Sequence, residues 1–137
     1  MSPPLQGIVI LAMTPNEEGR PVDIKVLRAT PLLDRAAIDA ARQWRYEPTI
    51  VQGAPTRVVV QEIVEVFPDQ DARARYWADM LNKSKLERPI RILAAQRLAS
   101  IGVRKKHVLE ALRKATRDAD PDVSAAAVRA LETLEGP

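Results

Sequence analysis

The hydrophobic pattern of this chain changes period near Phe67-Pro68-Asp69, and no single uniform architecture accommodates both halves. Before that point, apolar residues come in short β-branched runs broken by proline and glycine, which reads as strands and turns. After it they recur at helical spacing as far as Leu134. Charge shifts at the same place: residues 1–68 carry 7 Lys/Arg against 8 Asp/Glu, net −1, and residues 69–137 carry 14 against 10, net +4. The expected organisation is α+β, with one domain over residues 1–68 and a second over residues 69–137.

Within the first half, Gly7-Ile-Val-Ile-Leu-Ala-Met13 is too short for a helix and rich in β-branched residues, so it is expected as a strand. Pro15 to Pro21 is turn chemistry, with Gly19 expected at positive φ. Val22, Ile24 and Val26 alternate with Asp23 and Lys25, the period of a half-buried strand. Thr30-Pro31 suits a helix start. Leu33, Ala36, Ala37, Ala40, Ala41 and Trp44 then form one apolar stripe, its small residues letting a helix lie close to a sheet. Pro48 is expected to end that helix, and Gln52-Gly53-Ala54-Pro55 to form a second turn. Arg57 to Phe67 reads as the last strand, with Val58, Val60, Val64 and Val66 on one face. Ile63 and Phe67 fall on the other, which predicts a bulge or burial on both sides.

The order β-β-α-β, with Gly19-Arg-Pro-Val-Asp-Ile-Lys-Val-Leu, Leu33-Asp34, Ala36-Ala37 and the string Trp44-Arg45-Tyr46-Glu47-Pro48 before a valine-rich strand, resembles the TonB C-terminal domain over residues 5–68. That resemblance implies a small antiparallel three-stranded domain, a periplasmic location in a membrane-anchored protein, and pairing with an extended segment of an outer-membrane receptor by strand addition. Only Met1 to Leu5 precede the first strand, where the family carries a Tyr-Pro motif and a short helix, and the stalk and anchor are absent. Both departures weigh against energy transduction by this chain.

The second half reads as four helices. Asp69-Gln-Asp71 opens the first, which carries Trp77, Met80 and Leu81 on one face, and Asn82 to Lys85 breaks it. The second runs from Pro89 to Ile101 and stops at Gly102. The third spans Arg104 to Arg117, with Val108, Ala111, Leu112 and Ala115 inward. Asp120-Pro121 caps the fourth. Ile90, Ala94 and Leu98 match Val123, Ala127 and Leu131 at an offset of 33 residues, which marks a repeat. Asp118 to Val123, followed by Ala126-Ala127 and Leu131, is similar to the second helix of a HEAT repeat. The first copy keeps Arg91 after Ile90. Two repeats are fewer than the ~3 a solenoid needs, so these helices are expected to pack on the sheet domain, on another copy or on further repeats.

The residues exclude much chemistry. With no cysteine there is no disulfide, thiolate metal site or cysteine nucleophile. No catalytic set, phosphate loop, metal site or cofactor motif is expected. No apolar run approaches the ~20 residues that span a bilayer. Met-Ser-Pro-Pro lacks the basic start of a secretory leader, so the chain reads as soluble, either cytoplasmic or a piece of something larger. His107, the lone histidine, reads as a surface or boundary residue. Asp118, Asp120 and Asp122 have a calcium-loop rhythm, but capping and helix-dipole complementation are expected to account for all three. Trp44 and Tyr46 are expected to pack on the sheet, with Arg45 and Glu47 outward and paired.

Among Lys83, Lys85, Arg88, Arg91, Arg97, Arg104, Lys105 and Lys106, a basic surface is expected at Arg104, Lys105 and Lys106. No aromatic residues interleave with these cations, which argues against nucleic acid. The favoured site is the last strand: Arg57, Val58, Val59, Val60, Gln61, Glu62, Ile63 and Val64, whose unpaired edge groups would accept an extended partner peptide. The alternative is a self-associating structural domain, a homodimer through that strand and the helices. A basic helical scaffold for an anionic partner is the third reading.

Overall fold

The computed structural model describes residues 6–136; the readings placed on Met1–Leu5, and Pro137, lie outside them. The chain divides into two compact units, the first ending at Phe67 and the second beginning at Pro68.

The first unit is built on strand β1, Gly7–Pro15, flanked by β2, Pro21–Arg28, and β5, Val60–Val66, in the antiparallel order β2-β1-β5. The continuous apolar run explains the central place of β1. Val9, Leu11 and Met13 are buried on one side and Ile8 and Ile10 on the other, as a strand covered on both faces requires. Helix α1, Asp34–Ala41, lies over the Val9-Leu11-Met13 face through Leu33, Ala37 and Ala41. Those three recur every four residues, so the buried stripe is narrower than expected. Ala36 and Ala40 face water, and Ile38 completes the contact.

Several boundaries differ from the sequence reading for local reasons. Thr30 is not a helix cap: its hydroxyl donates to the Ile8 carbonyl on β1. The chain turns through Pro31 and Leu32 (φ 71°) before the helix starts. The helix ends at Ala41, well before Pro48. Pro48 instead leads into a small exposed hairpin of β3, Thr49–Val51, and β4, Ala54–Thr56, which the sequence reading did not contain. Gln52 and Gly53 both have positive φ, as a two-residue type I′ connection demands. Val26 is exposed because β2 carries two register shifts against β1, one at Leu27 and one beside Asp23, whose φ is 55°.

The second unit holds α2, Gln70–Leu81; α3, Arg88–Ile101; α4, Lys106–Ala115; and α5, Pro121–Glu135. Helix α2 packs on α3 and α4 on α5, while α2 also meets α4 and α3 meets α5. This is two stacked helical hairpins. Asp69 caps α2 through Ala72 N–H at 2.8 Å, Gly102 (φ 79°) terminates α3, and Asp120 caps α5 through Asp122 N–H at 2.9 Å. Helix α4 begins two residues later than expected, so Arg104 and Lys105 precede it.

The offset of 33 residues holds structurally at its start. Ile90 and Val123, and Ala94 and Ala127, are buried pairs, whereas Leu98 is buried and Leu131 only half-buried. An ion pair joins the hairpins. Arg91, buried on α3, donates from Nε to the Leu81 carbonyl at 2.9 Å and with both terminal nitrogens to Asp118. Arg88 reaches Asp120 at 2.6 Å and Asp122 at 3.5 Å. Capping holds for Asp120, and Asp122 lies in the first turn of α5 as dipole complementation expects, whereas Asp118 lies outside the helix. All three are also anchors for arginines of the other hairpin, and these arginines lower the carboxyls of Asp118 and Asp120 from their ordinary value.

Candidate functional site: an edge strand and the aromatic segment beside it

A three-stranded sheet has two edges, and here they are unequal. Strand β2 is kinked twice, and such bulges turn a row of edge groups away from a regular ladder. Strand β5 is straight. It pairs with β1 without interruption from Gly7↔Val66 to Met13↔Val60, and among the described residues no further strand lies along its other side. Its regular spacing of about 3.4 Å per residue is what a second antiparallel or parallel strand would match.

The structure moves part of the sequence-derived site. Val60, Gln61, Glu62, Ile63 and Val64 lie in β5, but Arg57, Val58 and Val59 precede it. The hairpin of β3 and β4 consumes Thr56, and the three residues carry the chain from that hairpin to the sheet. Arg57 reaches Glu17 at 3.9 Å, and Val59 is 68% exposed. No bulge interrupts β5. Burial on both sides accounts for Ile63, which is half-buried like Val60 and Val64.

Val60 and Val64 pack towards α1, so Glu62 between them shares that face. There it meets residues 44–48. Trp44 and Tyr46 pack against the same core. The Tyr46 hydroxyl donates to Glu62 Oε1 at 3.1 Å and lies 3.6 Å from Met13 Sδ. Burial, then the bond to Glu62 and its charge, pushes the phenol up to about 12. Tyr46 is thus a permanent donor at neutral pH, and it fixes the carboxylate in place.

The segment is fixed at its backbone as well. Tyr46 N–H donates to the Gly19 carbonyl at 2.8 Å. A Cβ on Gly19 would stand 2.0 Å from the Tyr46 oxygen, so the turn glycine is needed for this close approach as well as for its φ of 80°. Arg45 and Glu47 are not paired. Arg45 instead donates to the Trp44 carbonyl at 2.8 Å and, at 3.5 Å, to that of Arg42.

Two depressions flank Tyr46. One is a cleft whose apolar wall of Pro15, Pro48, Pro55, Val58 and Val60 beside Tyr46 is rimmed by polar residues, Glu17, Glu47 and Arg57 among them. The other is shallow and open, bounded by Trp44, Arg45, Tyr46 and Glu62. Sequence reasoning placed Trp44 and Tyr46 on the sheet but missed both depressions. The alternation of Val58, Val60 and Glu62 is the signal that these three share a side.

The basic residues of the second unit do not form one free surface. Arg91 and Arg88 bind the aspartates of the adjoining hairpin, Lys105 binds Asp71, and Lys106 lies 3.8 Å from Glu110. His107 is half-buried, and its Nε2 has no hydrogen-bond partner among the described residues.

No helix among the described residues is long and apolar enough to cross a membrane. Against known families, residues 3–65 match the family described as Gram-negative bacterial TonB protein C-terminal. The matched stretch runs from before β1 almost to the end of β5, and the helical hairpins lie outside it. No curated protein and no solved structure matches the chain.

Proposed function

We propose that this chain is a non-enzymatic protein-interaction module of a TonB-like envelope protein, and that its first unit binds an extended partner segment by strand addition along β5. The observation that carries this reading is the inequality of the two sheet edges: β2 is doubly bulged, while β5 is unbroken and has no further strand beside it among the described residues. Main-chain hydrogen bonds along such an edge supply affinity, and side-chain pockets on either face supply selectivity. The family match over residues 3–65 supports a periplasmic setting and a partner of the outer-membrane receptor class. The two helical hairpins, read as a HEAT-like pair, serve as a support or as a second surface.

A second reading has one observation in its favour. Val59, just before β5, is 68% exposed and Val66, at its end, 36% exposed, so apolar surface flanks the edge that a second copy of the chain would compete for with a partner peptide. The basic-scaffold reading loses ground because Lys105 and Lys106 are already paired, which leaves Arg104 of the original three.

The test uses the full chain and extended peptides, each in a normal form and in a form N-methylated at every second amide. Strand addition predicts binding by the normal peptide and loss on methylation of the amides that face β5. Equal binding by both forms refutes it. Light scattering over a hundredfold concentration range then separates the readings. A stable dimer that binds no peptide assigns the edge to self-association.

A further inference from the structure

The two depressions beside Tyr46 have different chemistry and stand on one face of the chain leading into and along β5. Val58 and Val60 line the first, and Glu62, two residues on, lines the second. A strand added to β5 presents its own side chains to that face at every second residue, about 7 Å apart. Each depression is therefore within the reach of a different side chain of the same bound segment.

We propose that these depressions are selectivity subsites for a partner segment bearing an apolar side chain and a basic one on the same face, the basic side chain being held by Glu62 with Trp44 and Tyr46. This inference rests on strand addition at β5. It commits to a basic segment because of what surrounds Glu62. The carboxylate accepts one bond from Tyr46 and retains further lone pairs, and no ion pair engages it among the described residues. Arg45, the nearby cation, is turned onto the carbonyls of Trp44 and Arg42. Two aromatic side chains line the same opening, and aromatic faces attract cations, guanidinium above all.

The other cleft is chemically distinct in having an apolar wall. Three proline rings and two valines form that wall, and the charged residues of its lining, Glu17, Glu47 and Arg57, are exposed, with Arg57 beside Glu17. A branched aliphatic side chain fits the proline and valine wall, while Glu17, Glu47 and Arg57 stay exposed to water. Tyr46 separates the subsites and is fixed by Gly19 and Glu62, so their spacing does not depend on the ligand.

The experiment titrates the full chain with soluble-ended decapeptides of alternating Val and Thr, in which one central Val is replaced by Arg, Gln or Glu so that it shares a face with the remaining valines. The Arg peptide is expected to bind about tenfold more tightly than the Glu peptide, with Gln between them. Glu62→Gln, which keeps an acceptor for Tyr46, is expected to remove most of that preference, and Glu62→Lys to reverse it. N-methylated versions separate the two levels of the argument. If all three peptides bind equally and methylation abolishes binding, strand addition stands and the selectivity inference is overturned. If methylation has no effect, or no peptide binds, both are overturned.

Discussion

Asp118→Ala is the sharpest perturbation of the helical unit. In the native chain, Arg91 has 7% of its side chain exposed and relies on a bidentate bond to Asp118, itself 17% exposed, plus one bond to the Leu81 carbonyl. Removing Asp118 leaves a guanidinium desolvated and largely unpaired. Breaking a buried pair in this way costs about 3–5 kcal/mol. The partial exposure of Asp118 lets water reach the vacated side, so the expected loss lies near the lower end, about 3 kcal/mol. A unit of this size has about 4–10 kcal/mol in total, so the variant still folds but unfolds at much lower denaturant. Adding Arg91→Met removes the stranded charge and is expected to recover about 2 kcal/mol. The assay is urea unfolding of the full chain followed by helical circular dichroism, arranged as a double-mutant cycle. A loss below about 1 kcal/mol for Asp118→Ala, or strict additivity in the double variant, refutes the claim that this pair couples the hairpins.

Other consequences are simpler. Gly19→Ala must place a methyl group on the Tyr46 carbonyl and keep a left-handed backbone, so a loss of about 2–4 kcal/mol is expected in thermal melting. Gly53→Ala, with open space around it, is expected to lose only about 1 kcal/mol, and equal effects would contradict the packing argument. Absorbance titration should show Tyr46 ionising near 12, with a return towards 10 in Glu62→Ala. Because its folded value is raised, stability is full below the ordinary phenol range and declines as pH rises through the interval up to 12. In acid the sign reverses. Asp118 and Asp120 are held low by their arginines, so the helical unit has their full contribution above the ordinary carboxylate value of about 4. It loses that contribution as pH falls towards the lowered folded values, where the unfolded chain has already taken up protons. Melting between pH 6 and 2 checks this, and a helical unit indifferent to acid would contradict it.

What was legible in the sequence follows from how local each signal is. The Gly7–Met13 run, the Gly19 turn, the Asp69 and Asp120 caps and the stop at Gly102 depend on residues a few positions apart, and the structure shows all of them. The helix over Ala41 to Pro48 failed because Trp44 keeps helical spacing with Ala37, Ala40 and Ala41 on paper, while the backbone two residues on, at Tyr46, is pulled out to meet Gly19. That contact spans 27 positions and leaves no local mark. Val22, Ile24 and Val26 suffered from the opposite problem: perfect alternation hides a bulge, because only the partner strand reveals the extra residue. The aspartates after Arg117 read as caps because their arginine partners lie about 30 residues away. The strand over Val60 to Val66 was legible, but the depressions beside Tyr46 required knowing where residues 44–48 cross.

The measurement closest to the central claim is amide hydrogen exchange, residue by residue, on the full chain with and without the Arg-bearing peptide. Strand addition at β5 predicts new protection at alternate amides within Val60–Val66, those pointing away from β1, with Pro21–Arg28 unchanged. Protection that appears along β2, or on the helical hairpins with β5 unaffected, would contradict the account.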